Sequence, residues 1–203
     1  MRLKIYGSDP NPDVSNSYNN IASVYHSLND YSSALEFCQK SLDIRLKIHG
    51  DTPHPQIASS YNNMAAIYQL RKDYATALEF YQKSLRLKVQ IYSNSPHPDL
   101  ASIYSNIGTV YKDLGVYDEA LEYHKKGLAI RLQIYSDCVI HPEIAASFNN
   151  MALVYELLGD YRKSLELLNK SLQIFQVVFQ SDSHPQVVTI RENIRIISNR
   201  LES

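Results

Sequence analysis

Residues 54–68 read HPQIASSYNNMAAIY, and residues 141–155 read HPEIAASFNNMALVY. The two stretches are identical at ten of fifteen positions, and only Ala66 against Leu153 exchanges a small residue for a bulky one, so one local structure is written twice. Working outward, the same proline recurs as Pro12, Pro55, Pro98, Pro142 and Pro185, at spacings of 43, 43, 44 and 43 residues. A fixed period of that size marks a repeat architecture, in which each unit buries its apolar face by stacking on the next. All eight prolines fall in the connections between repeats. There a residue without an N–H opens a helix, whereas within one it would interrupt the hydrogen-bond ladder.

Each repeat reads as two helices. In the first, residues 12–28 place Val14, Tyr18, Ile21, Ala22 and Tyr25 on one face of a 3.6-residue period. After Asn29-Asp30, a second stripe runs through Tyr31, Ala34, Leu35, Cys38, Leu42 and Ile48. The columns then recur. First helices carry Tyr18, Tyr61, Tyr104 and Phe148, then Ile21, Met64, Ile107 and Met151, then small Ala22, Ala65, Gly108 and Ala152, then Tyr25, Tyr68, Tyr111 and Tyr155. Second helices open on Tyr31, Tyr74, Tyr117 and Tyr161, with Ala34, Ala77, Ala120 and Ser164 next and Ser41, Ser84, Gly127 and Ser171 later. Alternation of large and small suits ridge-into-groove packing, and the small positions are expected to admit the tyrosines of the adjacent helix. Gly108 and Gly127, inside helices, are expected to mark close helix contacts.

Composition narrows the function. The 203 residues carry 20 Lys and Arg against 21 Asp and Glu, so no overall field draws the chain to nucleic acid or an anionic membrane. Cys38 and Cys138 form no metal-binding or redox spacing, which predicts free thiols in a reducing, cytoplasmic setting. No apolar run reaches the length of a membrane span, and the first residues lack the apolar stretch of a signal peptide. No nucleophile elbow, phosphate-cradling glycine loop or zinc-protease motif is present, so no catalysis and no cofactor are expected. His54, His97, His141 and His184 precede the repeat prolines. Their spacing sets them about a helix diameter apart, too far to share a metal ion, and they are expected to close the helix entries.

His-Pro-Asp or His-Pro-Gln, Asn-Asn-Met-Ala, Asp-Tyr and Ser-Leu-x-Ile-Arg-Leu together resemble the long tetratricopeptide repeat of kinesin light chains and nephrocystin-like proteins, from Met1 to about Arg200. The resemblance implies an all-α, right-handed superhelical solenoid with a period of about 43 residues. The expected organisation is one solenoid domain: a remnant of a preceding second helix and its linker at 1–11, repeats at 12–54, 55–97, 98–141 and 142–184, and a capping helix at 185–203. Residues 2–7 repeat the ending of the first repeat at residues 45–50, so the sequence is read as a fragment of a longer chain.

In this family the first helices line a concave groove. The stripe opposite the tyrosines holds two asparagine-rich columns: Asn19, Asn62 and Asn149, and Asn20, Asn63, Asn106, Asn150 and Asn193. An amide offers both donor and acceptor, so the resemblance implies a ladder that bonds the backbone of an extended peptide. The same amides could instead tie neighbouring helices together. Lys112, Leu153 and Leu157 complete the candidate peptide-binding residues, with Ile196 and Arg200 on the terminal helix. The places where chaperone-binding relatives keep lysines and arginines for a terminal carboxylate hold mostly Asn, Ser, Ala and Leu here. The expected function is a non-catalytic adaptor for a protein or peptide partner, with cargo binding for a microtubule motor as one setting. An architectural module working through its convex face or ends, or an accessory domain of a larger enzyme, stands beside it.

Overall fold

A computed structural model of the chain describes residues 10–50, 52–93 and 95–202. The reading of residues 1–9 as the end of a preceding helix lies outside them. Among the described residues there are nine helices and no strand. They divide into two compact units, Met1–Asn94 and Ser95–Ser203. The first unit contains α1 (Pro12–Ser27), α2 (Tyr31–His49), α3 (Pro55–Leu70) and α4 (Tyr74–Tyr92). The second contains α5 (Pro98–Asp113), α6 (Tyr117–Ile134), α7 (Pro142–Leu157), α8 (Tyr161–Phe179) and α9 (Pro185–Glu202). The all-α class and the helix–turn–helix repeat are as the periodicity predicts.

The punctuation is chemical. Each odd-numbered helix begins on its proline, and the residue before it caps the first turn. Asn11 Oδ1 accepts from the Asp13 N–H at 2.8 Å. The Nδ1 atoms of His54, His97, His141 and His184 accept from the N–H two residues on, at 3.1–3.3 Å. The histidines thus close helix entries as expected, each satisfying one orphan donor. Rings also stack on an aromatic at the end of the preceding helix, His54 on His49 at 3.4 Å, His141 on the capping Tyr135 at 3.5 Å and His184 on Phe179 at 3.4 Å. Within the repeats, Asp30, Asp73 and Asp160 cap the second helices, whereas Val116 offers no side-chain bond. The turn residue just before them is left-handed in all four repeats, Asn29, Lys72, Gly115 and Gly159.

In the first unit Ala22, Cys38, Leu42, Ile57, Met64 and Ile67 form the core between helix pairs, flanked by half-buried Tyr25, Tyr61 and Tyr68. In the second, Ala145, Met151, Leu168, Phe175, Ile190 and Ile197 do the same. Ser41, Ser84 and Ser171 donate to the carbonyls of Ser15, Ala58 and Ala145 at 2.7–2.8 Å, tying each second helix to the first helix of its own repeat. Gly127 holds that column in α6, where an added Cβ would stand 2.9 Å from the Ala101 carbonyl, so the close approach read from the sequence is present.

Two packing expectations change. At Gly108 the small column is not filled by a tyrosine; Tyr25 and Tyr68 stack on Phe37 and Phe80 of the second helix at 5.5 and 5.4 Å, and Tyr111 on Tyr123 at 5.3 Å. What stands over Gly108 is the ring of His124, 2.9 Å from where a Cβ would lie. Second, Ile21 shares a column with the buried Met64 and Met151 but is 38% exposed, and Val24, two places beyond Ala22, is 59% exposed. Their counterparts Met64 and Ile67 on α3 are 3% exposed, because α2 packs over them.

Candidate peptide-binding face

The polar stripe of each first helix lies opposite the aromatic stack, and that places the asparagines. On α1 and α3, Asn19, Asn62 and Asn63 are half-buried and Asn20 is exposed. Asn63 Nδ2 donates to Asn19 Oδ1 at 3.1 Å, bridging successive repeats. These two amides are therefore bound to each other, as the helix-tying alternative has it. Beside this bridge a hollow of about 260 Å³ opens between α1 and α3, lined by Asn19, Ser23, His26 and Asn63 above and by Ala22, Cys38 and Ile67 below. Burial pushes the Cys38 thiol up to about 11, so the floor is an inert, uncharged sulfur.

In the second unit Asn106, Asn149, Asn150 and Asn193 are half-buried on α5, α7 and α9. The Oδ1 atom of Asn149 is fully buried and meets no donor. Leu153 is half-buried and Leu157 is 53% exposed, with Ile196 of α9 at 38%. The two cations are engaged: Lys112 Nζ lies 3.2 Å from Asp113, and Arg200 bonds Glu156 at 2.7 Å. Neither stands as a bare charge for an acidic ligand.

Sequence reading missed a column of buried cations. Arg45, Lys88 and Arg131 are 5%, 7% and 8% exposed at the spacing of the prolines, and Phe175 takes the fourth place. Arg45 donates to the Gln56 carbonyl, Ser60 Oγ and Asn16 Oδ1 at 2.9, 2.7 and 3.3 Å. Burial lowers its pKa from the ordinary value. Arg131 donates to Ser105 and Ser147 at 2.8 and 2.9 Å, with Glu143 at 3.3 Å. The available signal was a charged residue recurring on the apolar stripe of a second helix. His124 is buried as well: burial, then Lys112 and Arg131, push it down to about 4, and its Nδ1 has no partner.

Among the described residues no group of three His, Cys, Asp or Glu side chains could hold a metal ion, and no helix is long and apolar enough to cross a membrane. The tetratricopeptide repeat family model matches residues 13–88 and 56–133, and a second tetratricopeptide repeat model matches 144–186. No curated protein matches the chain in sequence. Among solved structures, BtubC (BKLC) from P. vanneervenii is 25% identical, with a TM-score of 0.73 over 86% of this chain and 68% of that one. A Podosopora anserina protein assigned as a kinesin light chain, with nearly identical TPR-like repeats, is 21% identical, with a TM-score of 0.76 over 93% of this chain and 87% of that one. A single-substitution variant of that fungal protein gives the same identity and TM-score, 21% and 0.76.

Proposed function

Since the chain belongs to the tetratricopeptide repeat family, whose repeats mediate protein–protein interaction, we propose that it is a non-catalytic scaffold binding an extended segment of a partner along the asparagine-bearing faces of its first helices. The observation that supports this reading is the hollow of about 260 Å³ beside Asn19 and Asn63, where side-chain amides border an apolar floor. At sheet edges elsewhere main-chain bonds supply affinity and pockets supply specificity, and here side-chain amides would take the place of the edge. The likeness to kinesin light chain repeats makes a cargo adaptor for a microtubule motor the first setting to examine. The balanced charge and the free Cys38 and Cys138 suit a cytoplasmic protein whose partner is neither nucleic acid nor membrane.

A peptide selected from a displayed random library supplies the test. Asn63→Ala with Asn106→Ala should weaken its binding tenfold or more while helical content is kept, with a small fall in melting temperature from the lost Asn19–Asn63 bond, since each lost bond is worth about 0.5 to 1.5 kcal/mol. A lower melting temperature with unchanged affinity would reject the ladder. One observation favours a second reading, assembly through α1: Ile21 and Val24 are 38% and 59% exposed where their counterparts on α3 are covered. Ile21→Ser with Val24→Ser would then abolish association and leave peptide affinity intact.

A further inference from the structure

At two places the structure shows how a guanidinium joins successive repeats. Arg45 reaches from α2 to the first turns of α3, and Arg131 from α6 to those of α7. In the last repeat the column holds Phe175, whose ring stacks on Phe179 at 5.4 Å. Its partners change in step: Ser60 and Ser147 give way to Ile190, and Asn16 to Ala146. The space is not refilled. A cavity of about 210 Å³ lies there, bounded by Ala146 and Asn149 of α7, Phe175 of α8, and Gln186, Thr189 and Ile190 of α9. By comparison, a cavity of about 150 Å³ admits a benzene ring.

The polar wall of this cavity is incomplete. Asn149 occupies the column of Ser105, whose hydroxyl accepts from Arg131 at 2.8 Å. With phenylalanine in place of the arginine, Asn149 Oδ1 is left buried without a donor. Such an acceptor is unfavourable until a donor reaches it, and Asn149 itself lines the cavity. Gln186 stands where Gln56 and Glu143 receive the arginines of the other joints. The missing group is therefore planar, rich in donors and able to lie on an aromatic ring. A guanidinium has those properties and sheds water more readily than an ammonium.

We propose that the cavity between α7, α8 and α9 receives an arginine side chain of the bound partner, which supplies from outside the contact that Arg45 and Arg131 make within the chain. The site opens beside Asn149 and Asn150, so the proposal rests on the groove reading and names one side chain of the segment bound there.

The test uses a single-residue probe and does not require an extended segment to bind, so the pocket and the groove can fail separately. N-acetyl-arginine N-methylamide is titrated into the full chain and followed by amide and side-chain NMR. Saturable shifts are expected at Asn149, Thr189 and Ile190, with no comparable shifts at Asn19, Ser59 and Ser60, where Arg45 already fills the joint. Ala146→Phe, an exposed position at the pocket wall, should weaken the response at least fivefold without disturbing the fold. Phe175→Arg with Ile190→Ser should abolish it by restoring the internal arginine. Absence of saturation, an undiminished response in Ala146→Phe, or equal or tighter binding of the corresponding lysine or tryptophan amide would each overturn the proposal.

Discussion

At the joint between α2 and α3 a buried arginine bonds across to the next helix, whereas at the joint between α8 and α9 the same column holds a phenylalanine packed on a second one. Both joints bury their central residue, 5% exposed for Arg45 and 3% for Phe175, so burial does not distinguish them. What differs is direction. Hydrogen bonds fix the angle and register of α3 against α2, while an apolar contact contributes stability without dictating geometry. A repeat protein can thus vary rigidity from joint to joint while keeping one backbone plan.

The largest expected effect tests the apolar side of this contrast. Phe175→Ala should destabilise by about 3 to 5 kcal/mol, since it removes a core ring and enlarges a cavity. Hydrogen exchange in α9 should accelerate, and unchanged protection there would mean that Phe175 does not hold the helix. The next effect concerns the column in which Leu168 stands in the last repeat and His124 two helices earlier. The neutral imidazole is the native form, with a pKa depressed to about 4. As pH falls below about 6.5 the unfolded chain takes up a proton that the native state refuses. Stability is therefore fully present above that pH and lost towards pH 4, by about 3 kcal/mol from this group. His54, whose pKa burial also lowers, adds in the same direction. Denaturant titrations at pH 7 and pH 5 should show the loss, and His124→Leu should remove most of it; an unchanged slope would sink the assignment.

Arg45→Met should cost little, within about 1 kcal/mol, because similar apolar volume replaces the guanidinium and Ser60 keeps its bond to the Gln56 carbonyl. The expected signature is a broadened NMR spectrum at the α2–α3 joint at nearly constant stability. A loss as large as that of Phe175→Ala would erase the distinction between the joints. The smallest effect is a gain. Lys72 takes a left-handed conformation, φ 61°, at the turn where Gly115 and Gly159 stand in later repeats. Lys72→Gly should stabilise the first unit by up to about 1 kcal/mol, as read from urea denaturation.

The helices were legible because their signals are local: proline at each entry, a 3.6-residue stripe, an aspartate or a left-handed residue at each turn. Which residue covers which was less so. Ile21 matches Met64 in its column and differs in exposure, because the covering helix belongs to a neighbour rather than to the residue itself. Arg45 and Arg131 were passed over because a charge on an apolar stripe is read by its type, and only the facing serines reveal its purpose. The asparagine columns were visible, yet Asn149 could not be told from Asn19. One lacks a donor and the other accepts from Asn63, and that difference depends on residues 26 and 44 positions away.

The stacked rings at the helix entries carry one more consequence. The link from Tyr135 to His141 is one residue longer than those from His49 to His54 and from Phe179 to His184, yet the rings meet at 3.4–3.5 Å in all three. The aromatic pair works as a clasp that closes before and after the link and lets the slack bulge outward, where Cys138, Val139 and Ile140 lie exposed. Insertions at residues 137–140 are thereby uncoupled from helix register, which gives the protein a place to acquire new sequence without rebuilding its frame.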